Sequence, residues 1–115
     1  MARILIVDDD GDWRGFLRMC VEELGHEAVE AEDGAEALAL LAREQFPIIL
    51  LDLNMPGLDG REVLRHLPSP PPRVVLLTSA GVEELGDALG AESCYYLPKD
   101  GVDASLSLVL DSLQA

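Results

Sequence analysis

Three aspartates in a row, Asp8, Asp9 and Asp10, follow the apolar run "ILIV" at residues 4–7. A fourth, Asp52, follows "IILL" at 48–51, Thr78 and Ser79 follow "VVLL" at 74–77, and Lys99 comes just after "CYYL" at 94–97. Each of these residues stands where an apolar segment gives way to polar chain. Carboxylates within ~4–6 Å of one another disfavour joint ionisation, and a cation resolves the conflict. The set offers oxygen donors and neither histidine nor cysteine, which suits Mg2+ or Mn2+ rather than zinc. Two carboxylates and a carbonyl leave octahedral positions for waters and a phosphoryl group. An aspartate so placed can be a nucleophile toward phosphorus, with the metal neutralising developing charge. Lys99 can pair with Asp52 or with an oxygen carried on it. Thr78 and Ser79 compete for donating to a phosphoryl oxygen, and Thr78 is favoured because it directly follows the apolar run.

Elements must bring these residues together. Strands are expected at Arg3–Val7, Glu27–Glu30, Ile48–Leu51, Val74–Leu77 and Cys94–Leu97. Runs apolar throughout suit a parallel sheet covered on both faces. Helical patterns lie between them. Trp13, Phe16, Leu17, Cys20, Val21 and Leu24 fall on one buried stripe, which Gly25 ends. A second helix is expected over about 35–45, with Leu38 and Leu41 inward, and a third over about 60–67, with Val63, Leu64 and Leu67. A fourth near 82–89 contains the weakening Gly86, and a last covers about 102–113. Strand–helix repeated five times implies an open α/β sheet with right-handed crossovers. In such sheets the site lies outside the carboxyl ends of the strands, at the topological switch point. Four of the five expected strands end there in one of the residues named above.

Length and charge narrow the class. At 115 residues the chain suits one domain with a real core, and 49% hydrophobic residues argue against disorder. A net charge of −14 disfavours nucleic acid and anionic membranes and favours basic partners or cations. No apolar run approaches the ~20 residues of a membrane-spanning helix, and the N-terminal run is too short for a signal peptide. A cytoplasmic protein is expected. Cys20 and Cys94 form no metal-like cluster, and Cys20 reads as a buried thiol on the first helix. His26 and His66 read as surface residues. Trp13 lies close enough to Asp9 in sequence to report metal binding by fluorescence. The patch "PSPPPR" at 68–73 reads as a stiff connector, with a ligand for a proline-binding groove as the alternative.

The motifs "ILIVDDD" (4–10), "LLDLNMPGLDGREVL" (50–64), "VVLLTSAG" (74–81) and "GAESCYYLPKD" (90–100), in this order and spacing, resemble the receiver domain of bacterial two-component response regulators. The resemblance covers essentially the whole chain, residues 1–115. It implies a flavodoxin-like (βα)5 doubly wound parallel sheet with strand order 2-1-3-4-5. It also implies that Asp52 accepts a phosphoryl group from a histidine kinase or a histidine phosphotransfer domain. By the same resemblance Asp8 and Asp9 are the acidic pair that holds Mg2+, joined by Asp52 and the main-chain carbonyl of Asn54. Thr78 matches the switch hydroxyl and Lys99 the phosphate-binding lysine. Tyr96 sits at the aromatic switch position, with core filler as its alternative role. Phosphorylation would draw Thr78 toward the new oxyanion, let Tyr96 turn inward and change partner affinity on the helix 4–strand 5–helix 5 face. The domain would be a stoichiometric phosphoacceptor rather than an enzyme, with self-phosphorylation and autodephosphorylation its only chemistry.

One motif departs from the family. The lysine is usually followed by proline, but here Pro98 precedes Lys99 and Asp100 follows it. The loop after strand five then differs in shape, and the usual cis bond after the lysine is ruled out. Two rival functions need stating. One is a phosphate-independent interaction module that keeps the acidic pocket only as a relic of the fold. The other is a metal-dependent phosphohydrolase with an aspartyl intermediate, which would want a second acid near the nucleophile where "DLNMPG" offers an apolar turn. The chain is expected to be either a stand-alone receiver or the amino-terminal piece of a longer regulator, with homodimerisation open.

Overall fold

A computed structural model of the chain describes residues 2–52, 60–67, 72–78, 94–98, 106–108 and 110. Five strands appear in it: β1 (Arg3–Val7), β2 (Glu27–Ala31), β3 (Ile48–Asp52), β4 (Arg73–Thr78) and β5 (Cys94–Pro98). Three helices accompany them: α1 (Gly11–Glu23), α2 (Gly34–Arg43) and α3 (Gly60–Arg65). The strands form one sheet in the order β2-β1-β3-β4-β5, and every neighbouring pair is parallel. All five expected strands are present, with four running one or two residues longer than expected. The expected helix at 82–89 and the turn at Asn54, Pro56 and Gly57 lie outside the described residues. So do most of the proline patch and most of the last helix, of which residues 106–108 and 110 are helical.

The core has two layers because successive strand residues face opposite sides of the sheet. Ile4, Ile6, Ile48, Leu50, Val75 and Leu77 pack with Leu17 and Val21 of α1 and with Leu106 and Leu110. Leu5, Val7, Ile49, Leu51, Val74 and Leu76 pack on the other side with Ala37 and Leu41 of α2 and Val63 of α3. All five residues of β3 are buried. That explains its continuous apolar run: a central strand covered on both faces has no solvent side to mark.

Helix starts follow from local polar chemistry. Asp10 caps α1, its Oδ1 accepting from the backbone N–H groups of Asp12 (3.0 Å) and Trp13 (3.2 Å). Asp33 caps α2 by accepting the Glu36 N–H at 2.8 Å. Each satisfies donors that the first helical turn leaves unpaired. Gly25 closes α1 with φ of 88°, a left-handed conformation that costs a side-chain-bearing residue more.

Three expectations need correction. Leu24 is not on the buried stripe: as the C-cap of α1 it turns out of the helical face and is exposed. His26 is not a surface residue. It is buried, and its Nδ1 accepts the Ala2 N–H at 3.0 Å, fixing the start of β1 against the entry to β2. Cys20 is half-buried rather than buried, packed on the α1-side core beside Trp13 and Phe16. His66 is exposed, as expected.

Candidate metal centre

β1 delivers Asp8 and Asp9 immediately beyond its last residue, Val7, and β3 ends in Asp52 itself. Val7 pairs in register with Leu51, so the carboxylates leave two adjacent strands at the same level. Alternation continues the series Ile4, Ile6 to Asp8 and the series Ile48, Leu50 to Asp52, which puts both acids on the α1 side. Asp8 and Asp52 are each 0% exposed, while Asp9 is exposed. Carboxylate oxygens of Asp8, Asp9 and Asp52 lie within 4.8 Å of one another.

Such a cluster is electrostatically costly. Buried carboxylates require complementary partners, and a cation is one that all three can share. Exposed acidic clusters need no ion, since water screens them. Here two of the three donors are withdrawn from water, so a divalent cation is the natural complement. An all-oxygen donor set fits a hard ion such as Mg2+, which retains several waters. The residues present therefore fit the metal that the sequence implies.

The loop that carries Asp8 and Asp9 is ordered by successive aspartate turns. Asp8 Oδ1 accepts the Asp10 N–H at 2.9 Å, and the Asp8 N–H donates to the Ala31 carbonyl at 3.1 Å. Asp10 is exposed and serves as the N-cap of α1.

The remaining site residues are placed through register. Asp52 pairs with Leu77, and the next residue of β4, Thr78, pairs with Pro98 of β5. The Thr78 backbone thus stands one step beyond Asp52 on the neighbouring strand. Tyr96 pairs with Leu76 inside the sheet. Asn54, Ser79 and Lys99 lie outside the described residues.

Two residues that carry weight beside the site are not evident from the sequence. Arg14 Nη1 donates to the Asp8 main-chain carbonyl at 2.8 Å, and Arg14 Nε donates to Glu30 Oε1 at 2.9 Å. Glu30 Oε2 accepts from Arg18 Nη1 at 2.7 Å. The Arg18 hydrogen bond, with Arg14 adding to it, holds the Glu30 carboxyl below its ordinary value. The one hint in the sequence is Arg14 and Arg18 at i, i+4 on one helix face of a chain with only eight Lys and Arg. A partner 16 residues away across a strand leaves no local signature.

Comparison with known proteins decides the family. The sequence model for the response regulator receiver domain matches residues 4–110. The chain belongs to the response regulator receiver family. This receiver is 38% identical over 92 residues to the transcriptional regulatory protein ResD of Bacillus subtilis, covering 80% of the chain and 38% of that protein. It is 42% identical over 101 residues to the response regulator MprA of a Mycobacterium species, covering 85% of the chain and 44% of that protein. It thus spans less than half the length of either relative. Its fold matches that of the response regulator TrrA from Thermotoga maritima, solved in complex with Mg(2+)-BeF. That match has a TM-score of 0.86 and 30% identity, and covers 98% of this chain and 99% of that one. The fold is therefore that of the receiver domains of two-component systems, as the motifs imply. Among the described residues, no helix is long and apolar enough to cross a membrane.

Proposed function

We propose that this receiver accepts a phosphoryl group on Asp52 from a histidine kinase or a histidine phosphotransfer domain, and that the modification switches its affinity for a downstream protein. The observation that carries the reading is the meeting of the Asp8, Asp9 and Asp52 carboxylates at the carboxyl edge of adjacent central strands, two of them fully buried. That the similar TrrA was solved in complex with Mg(2+)-BeF supports the reading.

In the transfer, an Asp52 carboxylate oxygen forms the new P–O bond while the P–N bond to the donor imidazole breaks. The electron pair of that bond stays on the imidazole nitrogen. Asp52 suits this role because a strand buried over its whole length fixes its carboxylate and spares the orientational entropy of a mobile nucleophile. Asp8, Asp9 and Asp52 would hold Mg2+, with the Asn54 carbonyl as a further ligand. The ion supplies charge neutralisation at the phosphoryl oxygens. Thr78 then donates to a phosphoryl oxygen, Lys99 pairs with another, and Tyr96 responds to the displacement of Thr78. The output is a change of surface at helix 4, β5 and helix 5, read by a protein partner or a second copy of the chain. Its charge of −14 disfavours direct nucleic-acid contact. Residues 1–115 act as one phosphoacceptor unit in the cytoplasm, taking up one group per molecule without turnover of a separate substrate.

Intact-mass measurement after incubation with a small acyl phosphate and Mg2+ tests this directly. The chain gains one phosphoryl group. The gain is lost without Mg2+ and lost in Asp52→Asn. A folded parent that gains nothing would instead support a phosphate-independent interaction module, and steady hydrolysis of a phosphate ester would support a phosphohydrolase.

A further inference from the structure

We propose that Arg14, held by Glu30, is a positioning residue that sets the relative orientation of the two metal-binding aspartates Asp8 and Asp9. The inference rests on the Mg2+ site described under Proposed function and concerns how the chain shapes it.

Hydrogen bonds within the described residues fix Asp8. Its N–H is bound to the Ala31 carbonyl of β2 (3.1 Å), its Oδ1 takes the Asp10 N–H (2.9 Å), and its main-chain carbonyl takes Arg14 Nη1 (2.8 Å). The first two orient Asp8 itself. The third acts on a different object, because the Asp8 carbonyl belongs to the planar peptide that joins Asp8 to Asp9. A hydrogen bond on that oxygen fixes the rotation of the plane. The plane in turn fixes where the Cα and carboxylate of the exposed Asp9 stand relative to buried Asp8.

Arg14 can do this because its guanidinium is itself held. It is planar, with donors in a rigid fork. Nη1 faces Asp8 while Nε is engaged by Glu30 Oε1 at 2.9 Å. The Arg14 and Glu30 side chains are mostly shielded from solvent, at 18% and 28% exposure. Glu30 is locked from its other side by Arg18, at 2.7 Å. Glu30 has a second effect. It offsets the Arg14 charge beside a site that must attract a cation.

The charge and the contact of Arg14 make opposite predictions. Removing a positive charge beside a cation site should tighten Mg2+ binding if only electrostatics acts. Removing an outer contact that orients a ligating group should weaken it, typically ~10- to 100-fold for such partners.

The test is the Mg2+ dissociation constant, measured by isothermal titration calorimetry with magnesium chloride, on the parent, Arg14→Gln, Glu30→Gln and Arg18→Gln. Thermal unfolding without metal is followed in parallel. Arg14→Gln is expected to bind Mg2+ about tenfold more weakly while remaining folded. Glu30→Gln keeps the donor to Asp8 but gives up the charge-assisted pairing that holds the fork, and should weaken binding by a smaller factor. Arg18→Gln removes the same charge from the far side of Glu30 and is the control for charge alone: binding should be unchanged or slightly tighter, and a weakening as large as that of Arg14→Gln overturns the proposal. Equal or tighter binding by folded Arg14→Gln overturns the proposal. Should that variant not fold, unchanged binding by Glu30→Gln overturns it. A parent that binds no Mg2+ removes the metal site and this inference with it, a failure visible before any variant is compared.

Discussion

Asp8 and Asp52 are carboxylates at 0% exposure in a chain with an excess of acid, and neither position is tolerable by burial alone. Their positions are legible in the sequence because the signal is local: an aspartate directly after a run of large aliphatics must sit at the end of a buried strand. Asp9 is legible as its neighbour. His26 is not, because burial there depends on the Ala2 N–H arriving from 24 residues away to meet Nδ1. Arg14 is likewise hidden, since its helical position says nothing about a carbonyl on the preceding loop. The prediction at this scale concerns Thr78. If its hydroxyl couples phosphorylation to output, Thr78→Ala will take up a phosphoryl group as the parent does, by intact mass. Its affinity for a downstream partner will not change on phosphorylation, in a titration of the two forms. Normal switching by that variant would remove Thr78 from the coupling.

At the scale of elements, strands buried on both faces and the stripe of α1 could be read directly from the sequence. Their apolar patterns are dense enough to outweigh local noise. The ends were less legible. Leu24 keeps the helical spacing of the stripe yet falls at the C-cap, where the backbone has already left the helix. Asp33 reads as an acid without purpose until α2 is seen to start on it. The edge strand β2 alternates only weakly because Glu30 spends its carboxylate on α1 rather than on solvent. That contact ties α1 to β2 and carries a pH dependence. Arg18 and then Arg14 lower the Glu30 pKa in the folded chain below its ordinary 4.5. The associated stability is therefore present above the unfolded value and fades as pH falls through the folded one. Glu30→Gln will be less stable than the parent near neutral pH in denaturant unfolding. The difference will shrink once the pH is taken below 4.5. A difference that stayed constant down to acid pH would mean that the carboxylate's charge contributes nothing there.

For the whole molecule, repeated strand–helix units point to a parallel sheet from pattern alone. The order 2-1-3-4-5 does not follow from pattern, because periodicity is silent on which strand neighbours which. It came with the family motifs, and the sheet has it. That order makes β1 and β3 adjacent and so turns two distant aspartates into one site. A consequence is global: a ligand held between two central strands stabilises the whole fold. Mg2+ at about a hundred times its dissociation constant should stabilise the chain by about 2.7 kcal/mol, which is about 10 °C in melting temperature for a domain of this size. Calorimetric melts with and without Mg2+ measure it. Asp8→Asn should lose most of that increment.

The most direct test of the central claim asks where the phosphoryl group lands. The chain is treated with an acyl phosphate and Mg2+, reduced with borohydride, which converts a carboxyl phosphate to an alcohol, and then digested and mapped by mass spectrometry. The conversion should appear at Asp52 and at no other carboxylate. Conversion at Asp8 or Asp9, or at no residue of a folded and Mg2+-saturated chain, would contradict the account.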